Sequence, residues 1–290
     1  MRLTILQKFT SPEPLLFRTV KELRDFRSNA TRAGKTIGLV PTMGALHAGH
    51  MELANQAKRI CDYAIVTIFV NPTQFAANED LSKYPRQEAA DIALCARHGV
   101  DAVFAPDAAE MYPPNFGSSI TVSGVTEKWE GEFRPTHFAG VATVVAKLLL
   151  QAMPDKAFFG KKDYQQLQTV KKLVRDLNIP TQIIGVPTVR EADGLALSSR
   201  NVYLAPHERR VAPLLNKNLQ NIAQIAHQGG DIEAAVEKAK ADLSAAGFGK
   251  VDYIAVVNAE TLEEWNGKGE GRVIAAVYLG KTRLIDNVAV

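Results

Sequence analysis

Two histidines three residues apart, His47 and His50, are the side chains best placed for chemistry in this chain. They lie in the run Pro41-Thr42-Met43-Gly44-Ala45-Leu46-His47-Ala48-Gly49-His50, between an apolar strand at 36–40 and a helical pattern that begins near Met51. A helix N-terminus carries unpaired N–H groups and a partial positive charge, which suits an anion. Gly44 and Gly49 let a bulky ligand approach the backbone. Imidazoles there can donate hydrogen bonds to phosphate oxygens as charge develops. The run reads as a nucleotide-phosphate site.

Three further polar clusters lie beyond the ends of apolar strands, the first two of them directly after one. They are Asn71-Pro72-Thr73-Gln74-Phe75, Gly160-Lys161-Lys162-Asp163-Tyr164-Gln165-Gln166 and Asp193-Gly194-Leu195-Ala196-Leu197-Ser198-Ser199-Arg200-Asn201. Ligands of open parallel sheets bind beyond the carboxyl ends of the strands, so four such clusters on one rim imply a single active site. Each cluster has a plainer reading too. Histidines at i,i+3 could hold a metal, but no third ligand accompanies them, and phosphate contact is the better use. Asn71-Pro72 serves equally well as a strand stop. Gln74 can orient a hydroxyl or carboxylate as both donor and acceptor. Lys161 and Lys162 form either a solvated turn or a point charge for phosphate. Ser198-Ser199-Arg200 is an ordinary polar loop or a phosphate clamp. His137 belongs to a flap or is simply exposed, and His98, His207 and His227 lie on helical stretches.

The elements that must position these groups alternate. A helical pattern over 15–33 stops at Gly34, followed by strand 36–40 and a helix through about Ile60. The β-branched run 63–70 reads as a strand buried on both faces. Helix 87–98, strand 101–105, a short strand at 120–122, helix 139–152, strand 156–159, helix 164–177 and strand 181–186 follow. The pattern predicts an α/β class, a Rossmann-like parallel sheet with helices on both faces, over 1–188. Beyond Leu204 the pattern changes to helices at 206–227 and 232–246. Antiparallel strands at 251–257 and 272–279 then flank a Gly-rich turn at 266–271. This predicts a smaller C-terminal α+β domain, 189–290, covering the site.

A chain of 290 residues with 46% apolar and 22% charged residues has the composition of a soluble globular protein. A net charge of +3 without a Lys/Arg run is too small to argue for nucleic acid by itself and suits small anionic substrates equally well, so no nucleic-acid partner is expected. Two cysteines, Cys61 and Cys95, have no metal-ligand spacing and fit a reducing compartment as buried thiols. With no signal-peptide pattern and no membrane-length apolar run, a cytoplasmic location away from membranes is expected. Several signatures are excluded. Gly34-Lys35-Thr36 imitates a P-loop end, but Asn29 replaces its first glycine and a strand follows it instead of preceding it. Neither G-x-G-x-x-G after a strand nor G-x-S-x-G occurs.

The strand and paired-histidine turn resemble the nucleotidyltransferase superfamily, whose H-x-G-H type signature binds ATP phosphates. Here it stands as His47-Ala48-Gly49-His50. The remaining motifs narrow the resemblance: Phe69-Val70-Asn71-Pro72-Thr73-Gln74-Phe75, Tyr84-Pro85-Arg86, Arg134-Pro135-Thr136-His137-Phe138, Gln165-Gln166 and Leu197-Ser198-Ser199-Arg200-Asn201. With them the chain resembles the pantothenate synthetase (pantoate–β-alanine ligase) family from about Leu15 to the end, including Leu284-Ile285-Asp286-Asn287.

The resemblance implies an ATP-dependent ligase of pantothenate biosynthesis, forming a pantoyl adenylate and releasing pyrophosphate and AMP. It assigns Met43, Gly44, Ala45, Leu46, His47, Ala48, Gly49 and His50 to ATP, with Gly160, Lys161, Lys162, Asp163, Val189, Leu197, Ser198, Ser199 and Arg200. His50, His47 and Lys162 take the catalytic roles, and His50 is the general acid or charge stabiliser. Gln74 contacts pantoate and β-alanine, and Gln166 contacts pantoate. The family usually has Glu or Gln where this chain has Lys161, so the conserved lysine role falls to Lys162. Mg²⁺ is expected on the phosphate oxygens with several waters, Asp91 being a candidate contact, and no dedicated protein metal site is expected. The family also implies a homodimer. Residues 1–14 precede its usual start and receive no role. The rival enzyme reading is a nucleotidyltransferase joining a nucleotide to a phosphorylated acceptor, which has no use for the Gln74 and Gln166 pair. An aminoacyl-tRNA ligase would need a basic RNA-binding domain, and a non-catalytic nucleotide sensor would have lost a phosphate contact.

Overall fold

The computed structural model describes residues 13–75, 81 and 84–290, so most of the N-terminal extension lies outside the described residues. The first helix is set by its ends. Thr19 and Glu22 form a reciprocal capping box that starts α1 (Val20–Arg32). Beyond it, Gly34 at φ +66° and a bond from Lys35 N–H to the Ala30 carbonyl (2.9 Å) end it as a Schellman turn. The box corrects the expectation of a helix from Leu15. Leu15–Phe17 is instead strand β1, pairing in parallel with β4 (Ala102–Phe104).

The alternating region builds a six-stranded parallel sheet in the order β1-β4-β3-β2-β5-β6. Its other strands are β2 (Ile37–Val40), β3 (Tyr63–Thr67), β5 (Lys156–Gly160) and β6 (Gln182–Val186). Helices α2 (Ala48–Ile60) and α3 (Glu88–Arg97) carry the chain from β2 to β3 and from β3 to β4. A short α4 (Ala108–Met111) follows β4. The chain moves toward the β1 edge through β4 and then restarts on the other side of β2 with β5. The sheet therefore has its topological switch point between β2 and β5. The strands preceding the four polar clusters, β3, β2, β5 and β6, are immediate neighbours in it. Under the sheet, Val40, Met51, Ala54, Ala57, Cys61, Val66, Cys95, Phe158 and Val186 share one core. Gly38 allows close packing there: an added Cβ would lie 3.0 Å from Ala57 and Phe158, so those side chains would have to give way. Both cysteines are free and buried, and burial pushes the Cys95 thiol up to about 12.

Two compact units result. One comprises residues up to 119 with 143–159 and 174–186; the other comprises 120–142, 160–173 and 187–290. Helices α6 (His137–Ala152) and α7 (Tyr164–Asp176) each contribute to both. The second unit contains a short α5 (Glu130–Phe133), helices α8 (Pro206–Val211), α9 (Leu214–His227) and α10 (Ile232–Ala245), and an antiparallel sheet β7-β8-β9. Its strands are Phe248–Asn258, Gly271–Leu279 and Thr282–Ala289. Three expectations are corrected here. The expected helix 206–227 breaks at Ala212-Pro213, where proline removes a helical donor. Residues 120–122 form no strand; their β-branched side chains favour one, but a strand exists only with a pairing partner. The C-terminal sheet gains a third strand, β9, in which a buried, ion-paired Asp286 and a half-buried, ion-paired Arg283 mask the alternation.

Candidate active site

His47 is the N-cap of α2. Its Nδ1 accepts from Gly49 N–H at 3.1 Å, while His50 Nδ1 accepts from His47 N–H at 3.4 Å. The first turn is thereby closed by its own imidazoles, whose ring centroids lie 4.1 Å apart. His50 N–H is engaged by the His47 carbonyl at 2.9 Å. The expectation of open backbone amides here is therefore refined: the amides of Gly49 and His50 serve the cap. An Nδ1 that accepts a backbone proton leaves the ring proton of a neutral imidazole on Nε2. Both histidines are thus donors through Nε2, at the positive end of the helix.

The decapeptide divides into a buried brace and an open edge. Gly44, Ala45 and Leu46 are buried, whereas Met43, His47, Ala48, Gly49 and His50 remain partly or fully open. The brace is Asp91 on α3, only 1% exposed. Its Oδ2 accepts from Ala45 N–H at 2.9 Å and its Oδ1 from Leu46 N–H at 2.8 Å, with Gln87 Nε2 adding a bond at 3.3 Å. Ala45 is held at φ +51°, a left-handed conformation costing roughly 1–2 kcal/mol. Gly44 stands at φ +86°, and a Cβ there would lie 3.0 Å from Asp91 Oδ2. Asp91 is therefore corrected from a magnesium contact to a loop support. Sequence reasoning missed that role, because nothing local links residue 91 to residue 45.

The second cluster follows β3. Asn71 caps the single 3₁₀ turn Pro72–Gln74 and is 1% exposed, which makes the dipeptide more than a strand stop. Its Nδ2 donates to Gln74 Oε1 at 3.2 Å. The Gln74 Nε2 lies against the Met43 thioether, so this amide sits beside the histidine-bearing loop.

In the second unit, the structure separates Gln165 from Gln166. Gln165 is buried; its Nε2 donates to the carbonyls of Val125 (2.9 Å) and Lys128 (2.8 Å), and its Oε1 accepts from Glu130 N–H at 3.0 Å. Gln166 is only half-buried. The segment 126–138, which carries His137, is fastened within this unit. Trp129 Nε1 donates to the Leu262 carbonyl at 2.8 Å, and Glu130 pairs with Arg283 at 2.7 Å. Burial opposes the Arg283 charge, but Glu130 and Asp252 outweigh it and hold the guanidinium more firmly protonated than usual.

The lysine turn after β5 is pinned by Asn287, whose Nδ2 donates to the carbonyls of Lys161 and Lys162, both at 2.9 Å. Asn287 Oδ1 accepts from Arg272 at 2.6 Å, and that guanidinium lies 3.9 Å over the Tyr164 ring. Gly160, Lys161, Lys162 and Asp163 are all partly exposed, with Asp163 4.0 Å from the Lys162 Nζ. Val189 and Leu197 are joined by a bond from Leu197 N–H to the Val189 carbonyl at 3.0 Å. Ser198 then caps the next turn by accepting from Arg200 N–H at 3.2 Å. Ser199 is half-buried and Arg200 exposed. Lys162, Ser198 and Arg200 line one cavity with Asn216, Arg283 and Asp286. Asp286 is locked by a bidentate pair with Arg190 at 2.7 and 2.8 Å. Among the described residues, no group of three or more His, Cys, Asp or Glu could hold a metal ion, and no helix is long and apolar enough to cross a membrane.

These arrangements can be compared with known proteins. A pantothenate synthetase of Cereibacter sphaeroides is 54% identical over 278 residues, covering 96% of this chain and all of that protein. The Caulobacter vibrioides pantothenate synthetase is 51% identical over 281 residues, covering 96% and 99%. Among solved structures, the Thermus thermophilus pantothenate synthetase has a TM-score of 0.87 at 46% identity, covering 94% of this chain and 98% of that one. A Francisella tularensis pantoate-beta-alanine ligase, complexed with beta-gamma ATP and beta-alanine, has a TM-score of 0.79 at 36% identity, covering 95% and 97%. A family model described as Pantoate-beta-alanine ligase matches residues 15–289. Paired imidazoles at the switch point, a fixed amide beside them and this full-length similarity together place the chain in the pantoate–β-alanine ligase family.

Proposed function

We propose that this chain condenses pantoate with β-alanine through a pantoyl adenylate, consuming ATP and releasing pyrophosphate and then AMP. ATP-dependent ligation follows from family membership, which sets aside transfer of a nucleotide to a phosphorylated acceptor. The observation that carries the residue-level reading is Gln74, an amide fixed beside the loop that bears His47 and His50. It puts a group suited to a carboxylate or hydroxyl next to donors suited to phosphate.

In the first step the pantoate carboxylate attacks the α-phosphorus and pyrophosphate leaves. His47 and His50 donate from Nε2 to phosphate oxygens as charge builds, and Lys162, Ser198, Ser199 and Arg200 supply further positive or donor groups. In the second step the β-alanine amine attacks the activated acyl carbon and AMP departs, which requires positioning and exclusion of water. Gln74 orients both acids, and Gln166 the pantoate. The remaining nucleotide contacts are Met43 to Gly49, Gly160, Lys161, Asp163, Val189 and Leu197. Because Asp91 already binds the loop amides, the Ala45 and Leu46 contacts would come from groups other than their N–H. Mg²⁺ is proposed to arrive with the substrate as MgATP, and no step is assigned to a protein-bound ion. Residues 1–188 and 189–290 remain the proposed functional division. The enzyme is further proposed to work in the cytoplasm as a homodimer, which sedimentation at twice the 31.6 kDa chain mass would support and a monomer would refute.

The testing experiment is isotope exchange between pyrophosphate and ATP. Exchange is expected with purified protein, MgATP and pantoate, without β-alanine, and it should stop on chelation of magnesium. Exchange that needs β-alanine, or none at all, would defeat the adenylate reading.

A further inference from the structure

The side chain of Tyr112 has no place in the reading above, yet it ends a directional hydrogen-bond chain that reaches Gln74. The Tyr112 hydroxyl donates to Asn71 Oδ1 at 2.8 Å. The same oxygen accepts from Thr73 N–H at 3.3 Å and Thr73 Oγ1 at 3.0 Å. An amide oxygen that receives these donors fixes the rotation of the Asn71 side chain, so Nδ2 must face the other way. There it donates to Gln74 Oε1 at 3.2 Å. The Gln74 oxygen is thus engaged, and the orientation of its amide is set.

Tyr112 is itself held in place. Its ring packs against Phe69 and Phe116 with centroids 6.1 and 5.1 Å away, and the Lys147 ammonium lies 4.6 Å over Phe116 and 5.8 Å over Tyr112. Phe69 and Asn71 belong to the segment leaving β3, while Tyr112 and Phe116 follow α4. A loop some forty residues away in sequence thereby governs an amide beside the histidine loop.

We infer that Tyr112 is a positioning residue that, through Asn71, fixes which face of the Gln74 amide meets the acid substrate. This rests on Gln74 contacting pantoate. Without Tyr112, Asn71 Oδ1 loses one of the donors that hold it, the Asn71 amide is fixed less firmly, and Gln74 can present oxygen where a carboxylate needs N–H. An inverted amide turns attraction into repulsion.

The test is a double-mutant cycle on full-length protein with Tyr112→Phe and Gln74→Ala, reading the KM of each substrate. Tyr112→Phe is expected to raise the pantoate KM about 3- to 10-fold, the scale of one hydrogen bond. The ATP KM and the thermal midpoint should stay near wild type. In the Gln74→Ala background, Tyr112→Phe should add nothing. An unchanged pantoate KM for Tyr112→Phe overturns the inference. So does an effect that persists in Gln74→Ala, which would mean direct contact or a general packing role. A silent Gln74→Ala overturns the pantoate assignment itself, and the relay's purpose with it. Should Tyr112→Phe fail to fold, Thr73→Val strips another donor from the same Asn71 oxygen and is read in the same cycle.

Discussion

Replacing His50 by alanine should slow pantoyl adenylate formation by about 10²–10³-fold, the effect of removing one preorganised transition-state donor. The geometry gives this expectation a specific form. His50 accepts from the His47 amide through Nδ1, so its proton is on Nε2, where it can meet charge developing on a phosphate oxygen. Alanine also removes one arm of the α2 capping box, a separate cost of about 0.5–2 kcal/mol in stability. His50→Gln separates the two effects. Glutamine at this helix position can still reach back to the N-cap amide, so stability should return while the rate stays low. Rapid-quench measurement of the adenylate burst decides the matter. A wild-type burst in His50→Ala would show that the imidazole is not the donor.

Asp91→Asn should disable the loop without touching the substrate. The carboxylate accepts from two consecutive backbone amides, and an asparagine must turn its NH₂ toward one of them. The expected loss is about 2–4 kcal/mol, from one charge-assisted bond and one buried donor left unpaired. Ala45 is held in a left-handed conformation and would relax when its amide is released. A shift of about 1 Å in the attached histidines can cost up to about 10²-fold in rate, so pyrophosphate exchange should fall in parallel with the urea midpoint. An unchanged midpoint would mean that the carboxylate does not hold the loop.

The origin of each effect explains how much was readable beforehand. The alternation of strands and helices, the H-x-G-H turn and the amide at Gln74 are local patterns. So is the Thr19/Glu22 capping box, a signal in plain sight that would have kept the first helix from being extended over β1. The break at Pro213 was equally visible. Strand β9 was not: its pattern is interrupted by Arg283 and Asp286, and an ion partner is what makes the charge of Asp286 tolerable inside. The strand expected at 120–122 failed for the complementary reason, since propensity cannot supply a partner.

The sequence by itself determined the class of fold, the family and the chemical types of the groups at each strand end, because these depend on residue identity and short-range spacing. Tertiary structure alone decided how those groups are aimed. Asp91 reaches residue 45, Tyr112 reaches Asn71, Asn287 clamps the carbonyls of the lysine turn, and Gln165 is buried and bonded away while Gln166 stays half-buried. It also grouped 120–142 and 160–173 with the C-terminal unit. Hydrogen bonds are directional and these join residues far apart in the chain, so their partners become known only when folding brings the donors and acceptors together.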